Sequence, residues 1–91
     1  MQIEYTRQFK KDYKREKKGK HRSTIDSDIE TVVEALLLDK PLDQKFHDHA
    51  LIGNWKDFRD CHLKPDLILI YRLHANTLQL VRLGSHSRLG L

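Results

Sequence analysis

Cysteine is almost missing from this sequence, and so is any long apolar run. Cys61 is the only cysteine, which excludes an intrachain disulfide and a cysteine-based zinc site and suits a reducing cytosol. Residues 1–15 contain no apolar stretch of the kind found in a signal peptide, and no window approaches the length of a membrane span. We therefore expect a soluble, cytoplasmic protein without a membrane segment.

The chain also lacks internal repeats and the length that a second domain would need. Its 91 residues allow one modest core, which would bury about 60–65% of the surface that the unfolded chain exposes. Residues 1–91 are therefore predicted to form a single domain.

Acidic residues are outnumbered, with 13 Asp and Glu against 17 Lys and Arg and a formal net charge of +4. A basic surface attracts polyanions, and nucleic acid is the first candidate, although ordinary solubility would explain the excess equally well. The excess is local, because residues 7–22 hold nine of the basic side chains beside only Asp12 and Glu16.

This basic segment is predicted to form a helix. Thr6 can cap its first turn, and Phe9 and Tyr13, four residues apart, supply a narrow apolar stripe. The lysines then face solvent, as in any highly charged helix, but a face of one charge would also bind RNA phosphates. The residues assigned to RNA or ribosome contact are Lys10, Lys11, Lys14, Lys17 and Lys18.

A second helix is predicted to follow, with Ser23 as its amino-terminal cap. Apolar residues recur from Ile25 to Leu37 at the spacing of an amphipathic helix, which indicates a role in the core. Pro41 ends this pattern, and residues 41–52 are predicted to form a loop, where a scaffold can position functional side chains.

Three strands are predicted after this loop, at residues 55–63, 67–73 and 77–83. Their short connections imply antiparallel pairing, with 67–73 central because it is apolar on both faces. Residues 2–5 are a candidate fourth strand. The predicted fold is α+β in the order β-α-α-β-β-β, with two N-terminal helices packed on one face of a small, mainly antiparallel four-stranded sheet.

Alternation divides the first of these three strands into two faces. Asp60 and His62 share the open face, whereas Trp55, Cys61 and Leu63 share the face that we assign to the helices. Trp55 is therefore expected to fill the core, and Asp60 and His62 are expected to project from the open face.

Further titratable residues are expected at the same end of the sheet. Asp66 follows a tight turn and so comes close to His62, while Arg82 and His86 flank the end of the last strand, where Gly84 permits a bend. Imidazole is the only side chain whose ordinary pKa lies near neutrality, and carboxylates can orient it or raise its basicity. The pattern indicates a proton-transfer site.

A metal site is an alternative interpretation of these residues. His47 and His49 are separated by one residue and could bind zinc together with His62 and Asp66. They lack the fixed helical spacing of common zinc ligands, so we expect no metal and no other cofactor. His47 is otherwise expected to be an ordinary solvated side chain.

The segment from Asp48 to Tyr71 carries a family resemblance. From His49 onwards it contains in full the pattern H-x-L-x-G-x-W-x-x-[FY]-R-D-x-H-x-x-P-D-x-I-L-I-Y. The order of a basic helix, an amphipathic helix and this motif resembles the YafQ branch of the RelE/ParE superfamily, the toxins of bacterial type II toxin–antitoxin pairs. The resemblance covers almost the whole chain.

The resemblance implies a ribosome-dependent endoribonuclease that cuts mRNA in the A site. It also implies a cognate antitoxin of the DinJ or RelB type as a cytoplasmic partner, usually in a heterotetramer or larger assembly. The active-site positions that it implies are His49, Asp60, His62, Asp66 and His86, together with Arg82. The family often has a functional aromatic residue after its last histidine, whereas stacking here would be absent or replaced by Leu89 or Leu91.

Such chemistry is possible with these side chains alone. RNA is cleaved without a metal when a base removes the 2′-hydroxyl proton, an acid protonates the leaving 5′-oxygen, and a cation stabilises the phosphorane. We assign His49 as the base, His86 as the acid and Arg82 to the phosphate, and the labels of base and acid could be exchanged. The residues that would orient or tune this set are Asp60, His62 and Asp66.

Two other function classes remain open at this level. One is a binding toxin on the same scaffold that inhibits DNA gyrase, as ParE-type members do, and it would not require the histidines and aspartates. The other is a plain RNA- or ribosome-binding module, in which the basic helix matters and the histidines do not.

Overall fold

The computed structural model describes all 91 residues, which form five strands and three α-helices. In chain order these are β1 (Gln2–Tyr5), α1 (Arg7–Glu16), α2 (Ile25–Leu37), β2 (His49–Ala50), β3 (Arg59–Lys64), β4 (Leu67–His74), β5 (Thr77–Gly84) and α3 (His86–Leu89). Two short 3-10 turns, Gln44–Phe46 and Gly53–Trp55, flank β2. None of the helices has both the length and the apolar character needed to cross a membrane.

β4 lies at the centre of the sheet, as its two-sided apolar sequence predicts. The strand order is β1-β5-β4-β3-β2, and Ile68, Leu69 and Ile70 in β4 are fully buried. β3, β4 and β5 pair antiparallel, whereas β1 pairs parallel with β5. The predicted α+β class and the mainly antiparallel sheet are confirmed.

The sheet has five strands instead of the expected four. The additional strand, β2, pairs antiparallel with β3, placing His49 opposite Asp60 and Ala50 opposite Arg59. The prediction of a loop throughout residues 41–52 is therefore wrong at these two residues. A strand of two residues is too short to show an alternating pattern in the sequence.

Apolar stripes dock α1 and α2 on one face of the sheet, as predicted. Phe9 of α1 and Ile25 and Val32 of α2 join Leu69 in the main core, and burying each such side chain stabilises the fold by about 1.5–3 kcal/mol. Thr6 caps α1, since its hydroxyl accepts a hydrogen bond from the Phe9 amide at 3.0 Å.

α2 begins after Thr24, one residue later than the cap predicted at Ser23. The amides of Thr24 and Ile25 both bond to the His21 carbonyl, at 3.1 and 2.9 Å. The chain therefore makes a tight turn across Ser23 before the helix starts, and this turn removes Ser23 from the capping position.

The opposite face of the sheet has a small core of its own. Ile68, Ile70 and Leu89 are buried there, and Trp55 and Phe58 pack against them. The prediction that Trp55 fills the helix-facing core is wrong, because β3 begins several residues after it and strand alternation does not extend back that far. Leu89 comes from α3, a single-turn helix that the sequence pattern does not predict.

Candidate active site

β3 alternates between the main core and the open face of the sheet. Cys61 and Leu63 belong to the core beneath the helices, as predicted. Asp60 and His62 alternate with them and share the opposite side. The two predicted site residues of this strand are therefore neighbours on one surface.

The pairing of β2 with β3 brings His49 to Asp60. The two residues are direct partners in the ladder, and His49 Nδ1 lies 3.1 Å from Asp60 Oδ1. The Asp60 side chain is only 4% exposed, whereas that of His49 is 54% exposed. His49 can therefore reach a substrate while its partner carboxylate stays shielded from water.

The backbone of His47 fixes one nitrogen of His49. Its carbonyl oxygen lies 2.7 Å from His49 Nδ1, and its φ of 47° and ψ of 42° place it in the left-handed region. Because both oxygens near Nδ1 are acceptors, Nδ1 carries the proton and donates it to the His47 carbonyl. The neutral ring then has its lone pair on Nε2, as a general base requires.

Four imidazole rings lie together and form what we call the histidine cluster: His47, His49, His62 and His86. The ring centroid of His62 lies 5.5 Å from that of His47, 6.2 Å from that of His49 and 5.2 Å from that of His86. His62 is thus the centre of the cluster. His47, which the sequence suggested to be merely solvated, is exposed but belongs to it, and its spacing from His49 was the available signal.

α3 and the turn between β3 and β4 place His86 beside Asp66, as predicted. The Asp66 Oδ1 atom accepts the backbone amide of His86 at 2.9 Å and lies 2.6 Å from His86 Nδ1. These two bonds from His86 lower the pKa of Asp66. The carboxylate therefore stays ionised and, by binding Nδ1, fixes the orientation of the His86 ring.

Burial shifts the two titratable groups at the centre of the site in opposite directions. It raises the pKa of Asp60, against the attraction of the neighbouring histidines. It lowers the pKa of His62, against the attraction of Asp60, and the other imidazoles lower it further. His62 is therefore held in its neutral form near neutral pH, and ionised Asp60 is less stable than an exposed carboxylate would be.

The structure does not bring Arg82 onto the histidine cluster. Its Nε atom lies 2.7 Å from Asp12 Oδ2 and its Nη2 atom 3.4 Å from Asp12 Oδ1, which anchors the guanidinium to α1. A register shift between β4 and β5 precedes Arg82. Because Asp60, Ile70 and Arg82 are successive partners across three strands, the backbones of Asp60 and Arg82 are about 10 Å apart.

Asp12 is a buried charge that the sequence analysis did not predict. It is fully buried and accepts hydrogen bonds from Gln8, Arg15 and Arg82 and from the backbone amide of Leu83. The available signal was its position three residues after Phe9, where an acidic side chain shares the apolar stripe of α1.

The five lysines assigned to RNA or ribosome contact are all exposed. They lie on or just after α1, which packs against β5. Lys20, in the turn after α1, is close enough to Asp66 to lower its pKa. The basic region therefore flanks the cluster and approaches it through that turn.

A cavity of about 720 Å³ opens beside the cluster, between α2 and β3. His47, His49 and His62 line one part of it, and Lys45 and Lys64 line another. The Lys45 ammonium lies 5.2 Å from the centroid of the Phe46 ring in the cavity wall. Lys64 Nζ lies 3.2 Å from Asp28 Oδ2, which also lines the cavity. A nucleotide fits this volume, and Lys45 is the lining cation best placed to meet a phosphate.

No group of three or more His, Cys, Asp or Glu side chains is placed to hold a metal ion. His49 and His86 direct Nδ1 to a carbonyl and a carboxylate, and the zinc site considered for His47, His49, His62 and Asp66 stays a prediction.

The carboxyl-terminal leucines differ in accessibility. Leu89 is buried in the open-face core and cannot stack on a base, whereas Leu91 is 40% exposed. Of the two candidates for replacing the family's aromatic residue, only Leu91 is accessible.

This fold matches those of known bacterial toxins. The chain covers 98% of a metal-bound toxin from Helicobacter pylori, with 44% identity, a TM-score of 0.81 and 98% of this chain aligned. In the crystal structure of the Escherichia coli DinJ-YafQ toxin–antitoxin complex, the matching chain is 38% identical with a TM-score of 0.82, over 96% of this chain and 93% of that one.

Sequence comparison agrees with the structural match. The mRNA interferase toxin YafQ of Escherichia coli strain K12 is 39% identical over 88 residues, which covers 96% of this chain and 92% of that protein. The family model for YafQ, the bacterial toxin of type II toxin–antitoxin systems, matches residues 1–90. The chain belongs to the YafQ family of type II toxins, as the resemblance predicted.

Proposed function

We propose that this toxin is a ribosome-dependent endoribonuclease that cleaves mRNA in the A site, and that the histidine cluster performs the cleavage. The observation that carries the proposal is the arrangement of His49 and His86 on either side of His62, each with Nδ1 bound to an oxygen acceptor. Two imidazoles with fixed tautomers and free Nε2 atoms are the minimum for concerted acid–base cleavage of RNA.

The reaction is an internal transesterification. A base takes the proton of the 2′-hydroxyl, and the oxygen attacks the adjacent phosphorus, forming a 2′,3′-cyclic phosphate. The bond to the 5′-oxygen breaks, and an acid delivers a proton to that oxygen. Neither a metal nor another cofactor enters the balance, and no water is consumed in this step.

His49 acts as the base through Nε2, because the His47 carbonyl holds the proton on Nδ1. His86 acts as the acid through Nε2, because the Asp66 carboxylate binds Nδ1 and leaves the other ring nitrogen to the substrate. His62 lies between them, and Asp60 offsets the positive charge that develops on His49 when it accepts the proton.

Arg82 stabilises the phosphorane in this proposal, although it stands apart from the imidazoles. Asp12 binds its Nε and Nη2 atoms, which leaves Nη1 available to a phosphate. The Asp12 anchor would hold the guanidinium in one orientation, and an ordered cation is more effective in a transition state than a mobile one.

The exposed lysines of α1 supply the contact with the ribosome, whose RNA is a polyanion, in the cytoplasm. The partner that restrains the toxin is a cognate antitoxin of the DinJ type. This assignment rests on the match to the toxin chain of the DinJ-YafQ complex, which extends over nearly the whole length of both chains.

The test is primer extension on mRNA engaged with purified ribosomes, with and without excess chelator. Wild type should produce cuts that need the ribosome and resist the chelator, and His62→Ala and His86→Ala should lose them by about 100-fold or more. His74→Ala, an exposed histidine at the end of β4, is the matched control and should retain full activity.

Three outcomes would overturn the proposal. Cuts that disappear in chelator would indicate a metal site. Full cleavage by His86→Ala would remove the acid assignment. Loss of toxicity on charge reversal at Lys10, Lys11 and Lys14, with tolerance of His62→Ala and His86→Ala, would indicate a plain ribosome-binding module.

A further inference from the structure

Asp48 stands between two histidines of the cluster, yet its carboxylate binds elsewhere. The Tyr71 hydroxyl donates to Asp48 Oδ1 at 2.5 Å, and Arg59 Nη2 donates to Asp48 Oδ2 at 3.1 Å. Tyr71 is 1% exposed in the central strand β4, and Arg59 belongs to β3. The carboxylate is therefore tied to the two strands that form the rigid middle of the sheet.

The backbone on the amino-terminal side of this carboxylate is strained. His47 has a positive φ of 47°, a conformation that costs a residue other than glycine about 1–2 kcal/mol. The segment that follows has few bonds of its own, because β2 is two residues long. Some contact outside the segment must therefore hold the left-handed turn at His47. Asp48 is the next residue in the chain, and its bonds to Tyr71 and Arg59 supply such a contact.

Tyr71 is well suited to hold this contact. Burial and the Asp48 carboxylate both raise the pKa of Tyr71, so the hydroxyl keeps its proton and remains a donor. The Tyr71 ring lies in the main core with the helices, which fixes the oxygen in space. The hydroxyl thus connects the core of the protein with the loop that carries His47 and His49.

We propose that Tyr71 and Asp48 are positioning residues: their hydrogen bond, with Arg59, holds the His47 carbonyl on His49 Nδ1 and so sets the tautomer of His49. The role of His49 as base rests on the proposed function, whereas the control of its tautomer does not. Without the anchor, the left-handed turn relaxes, the carbonyl leaves Nδ1, and the proton of His49 is free to move to Nε2.

The test compares two tyrosine variants of the full chain by ¹⁵N NMR of the imidazole rings, at about pH 8, where histidines are neutral. In wild type, His49 should carry its proton on Nδ1. Tyr71→Phe removes only the hydroxyl and keeps the buried ring, and it should shift His49 toward the Nε2-protonated tautomer. Asp48→Ala, in the partly exposed loop, should give the same shift by the second route.

Tyr13→Phe is the matched control, because the Tyr13 hydroxyl also binds an aspartate, Asp26, on the outer surface of the helices. It should leave His49 unchanged. His86, whose Nδ1 is held by Asp66, should keep its tautomer in all variants and reports that the rest of the cluster is intact.

A second readout is cleavage of ribosome-bound mRNA by Tyr71→Phe. We expect kcat to fall about tenfold or more with little change in KM, since substrate binding does not use this hydroxyl. An unchanged His49 tautomer in both folded Tyr71→Phe and folded Asp48→Ala would refute the positioning role, whatever the activity. A shifted tautomer with no effect of His49→Ala on cleavage would instead refute the base role and keep the positioning role.

Discussion

Asp12 and Asp60 are both buried aspartates, and their surroundings are opposite. Asp12, fully buried between α1 and β5, accepts hydrogen bonds from four residues. Asp60, 3% exposed between β2 and β4, has an Oδ1 atom without a hydrogen-bond donor. His49 Nδ1 lies only 3.1 Å away, but its proton is directed at the His47 carbonyl.

The pKa shifts follow this difference. Burial raises the pKa of Asp12, but the bonds from Arg82, Leu83 and Arg15 outweigh it and lower the pKa to about 2. At Asp60 no bonds offset the burial, and the pKa is raised. A buried carboxylate that accepts hydrogen bonds stabilises the packing of the elements around it. A buried carboxylate without donors is unfavourable in its ionised form, and a catalytic step that places a positive charge beside it can relieve this free-energy cost. The comparison thus separates a structural aspartate from a functional one.

Removing the satisfied carboxylate should have the largest effect on stability. Asp12→Ala leaves the guanidinium of Arg82 without a side-chain partner and Arg15 with Glu16 alone, and breaking a buried ion pair in this way costs about 3–5 kcal/mol. The measurement is urea unfolding at pH 7. Asp26→Ala, an exposed carboxylate bound to Lys17, is the control and should change the urea midpoint far less, because exposed ion pairs contribute little to stability.

Acid should remove the contribution that ionised Asp12 makes to the stability of the folded chain. Its pKa is lower in the folded chain than in the unfolded one, so its contribution is complete above the unfolded value of 3.8 and is lost as pH falls toward about 2. The loss should be about 2 kcal/mol. Titration of the Asp12 side-chain carbonyl carbon by NMR checks it, and a midpoint at or above 3.8 would show that its bonds do not outweigh burial.

A smaller effect on stability is expected at Gly84 in β5, where Arg15, a partner of Asp12, lies close to the backbone. A Cβ atom at Gly84 would lie 2.9 Å from Arg15 Nη2, the atom that donates to the Leu83 carbonyl at 2.8 Å. Gly84→Ala should displace Arg15 and cost about 1 kcal/mol, the value of one such bond. Thermal unfolding measures it. Gly19→Ala meets no contact closer than 3.5 Å and should be neutral, and equal values for the two variants would contradict the role of Arg15.

The main elements of this fold could be predicted because they leave local patterns. The stripe of α2 and the two-sided apolar run of β4 each place one element without knowledge of the others. β2 and α3 have two and four residues, which is too short for periodicity. β2 forms because it pairs with the edge of the sheet, and α3 forms where Asp66 bonds to its first residue. Their absence from the prediction reflects tertiary contacts.

In the candidate site, too, local sequence patterns predicted some features, whereas others depend on contacts between distant residues. The motif from His49 to Tyr71 and strand alternation placed His49, Asp60 and His62 together, and the turn brought Asp66 to them. The bond from Arg82 to Asp12 joins residues 70 positions apart, so no local pattern could reveal it. The ring of His47 joined the cluster through a left-handed turn, a conformation that only a few per cent of non-glycine residues adopt and that no local pattern here predicts.

The stability and the cleavage rate of Asp60→Asn, measured on one preparation, test the contrast most directly. The raised pKa means that ionised Asp60 destabilises the folded chain at neutral pH, a cost that disappears as pH falls through its folded value. We predict that Asp60→Asn unfolds at the same urea concentration as wild type or a higher one, while cleavage of ribosome-bound mRNA falls at least about tenfold. A large loss of stability with cleavage at the wild-type rate would contradict it.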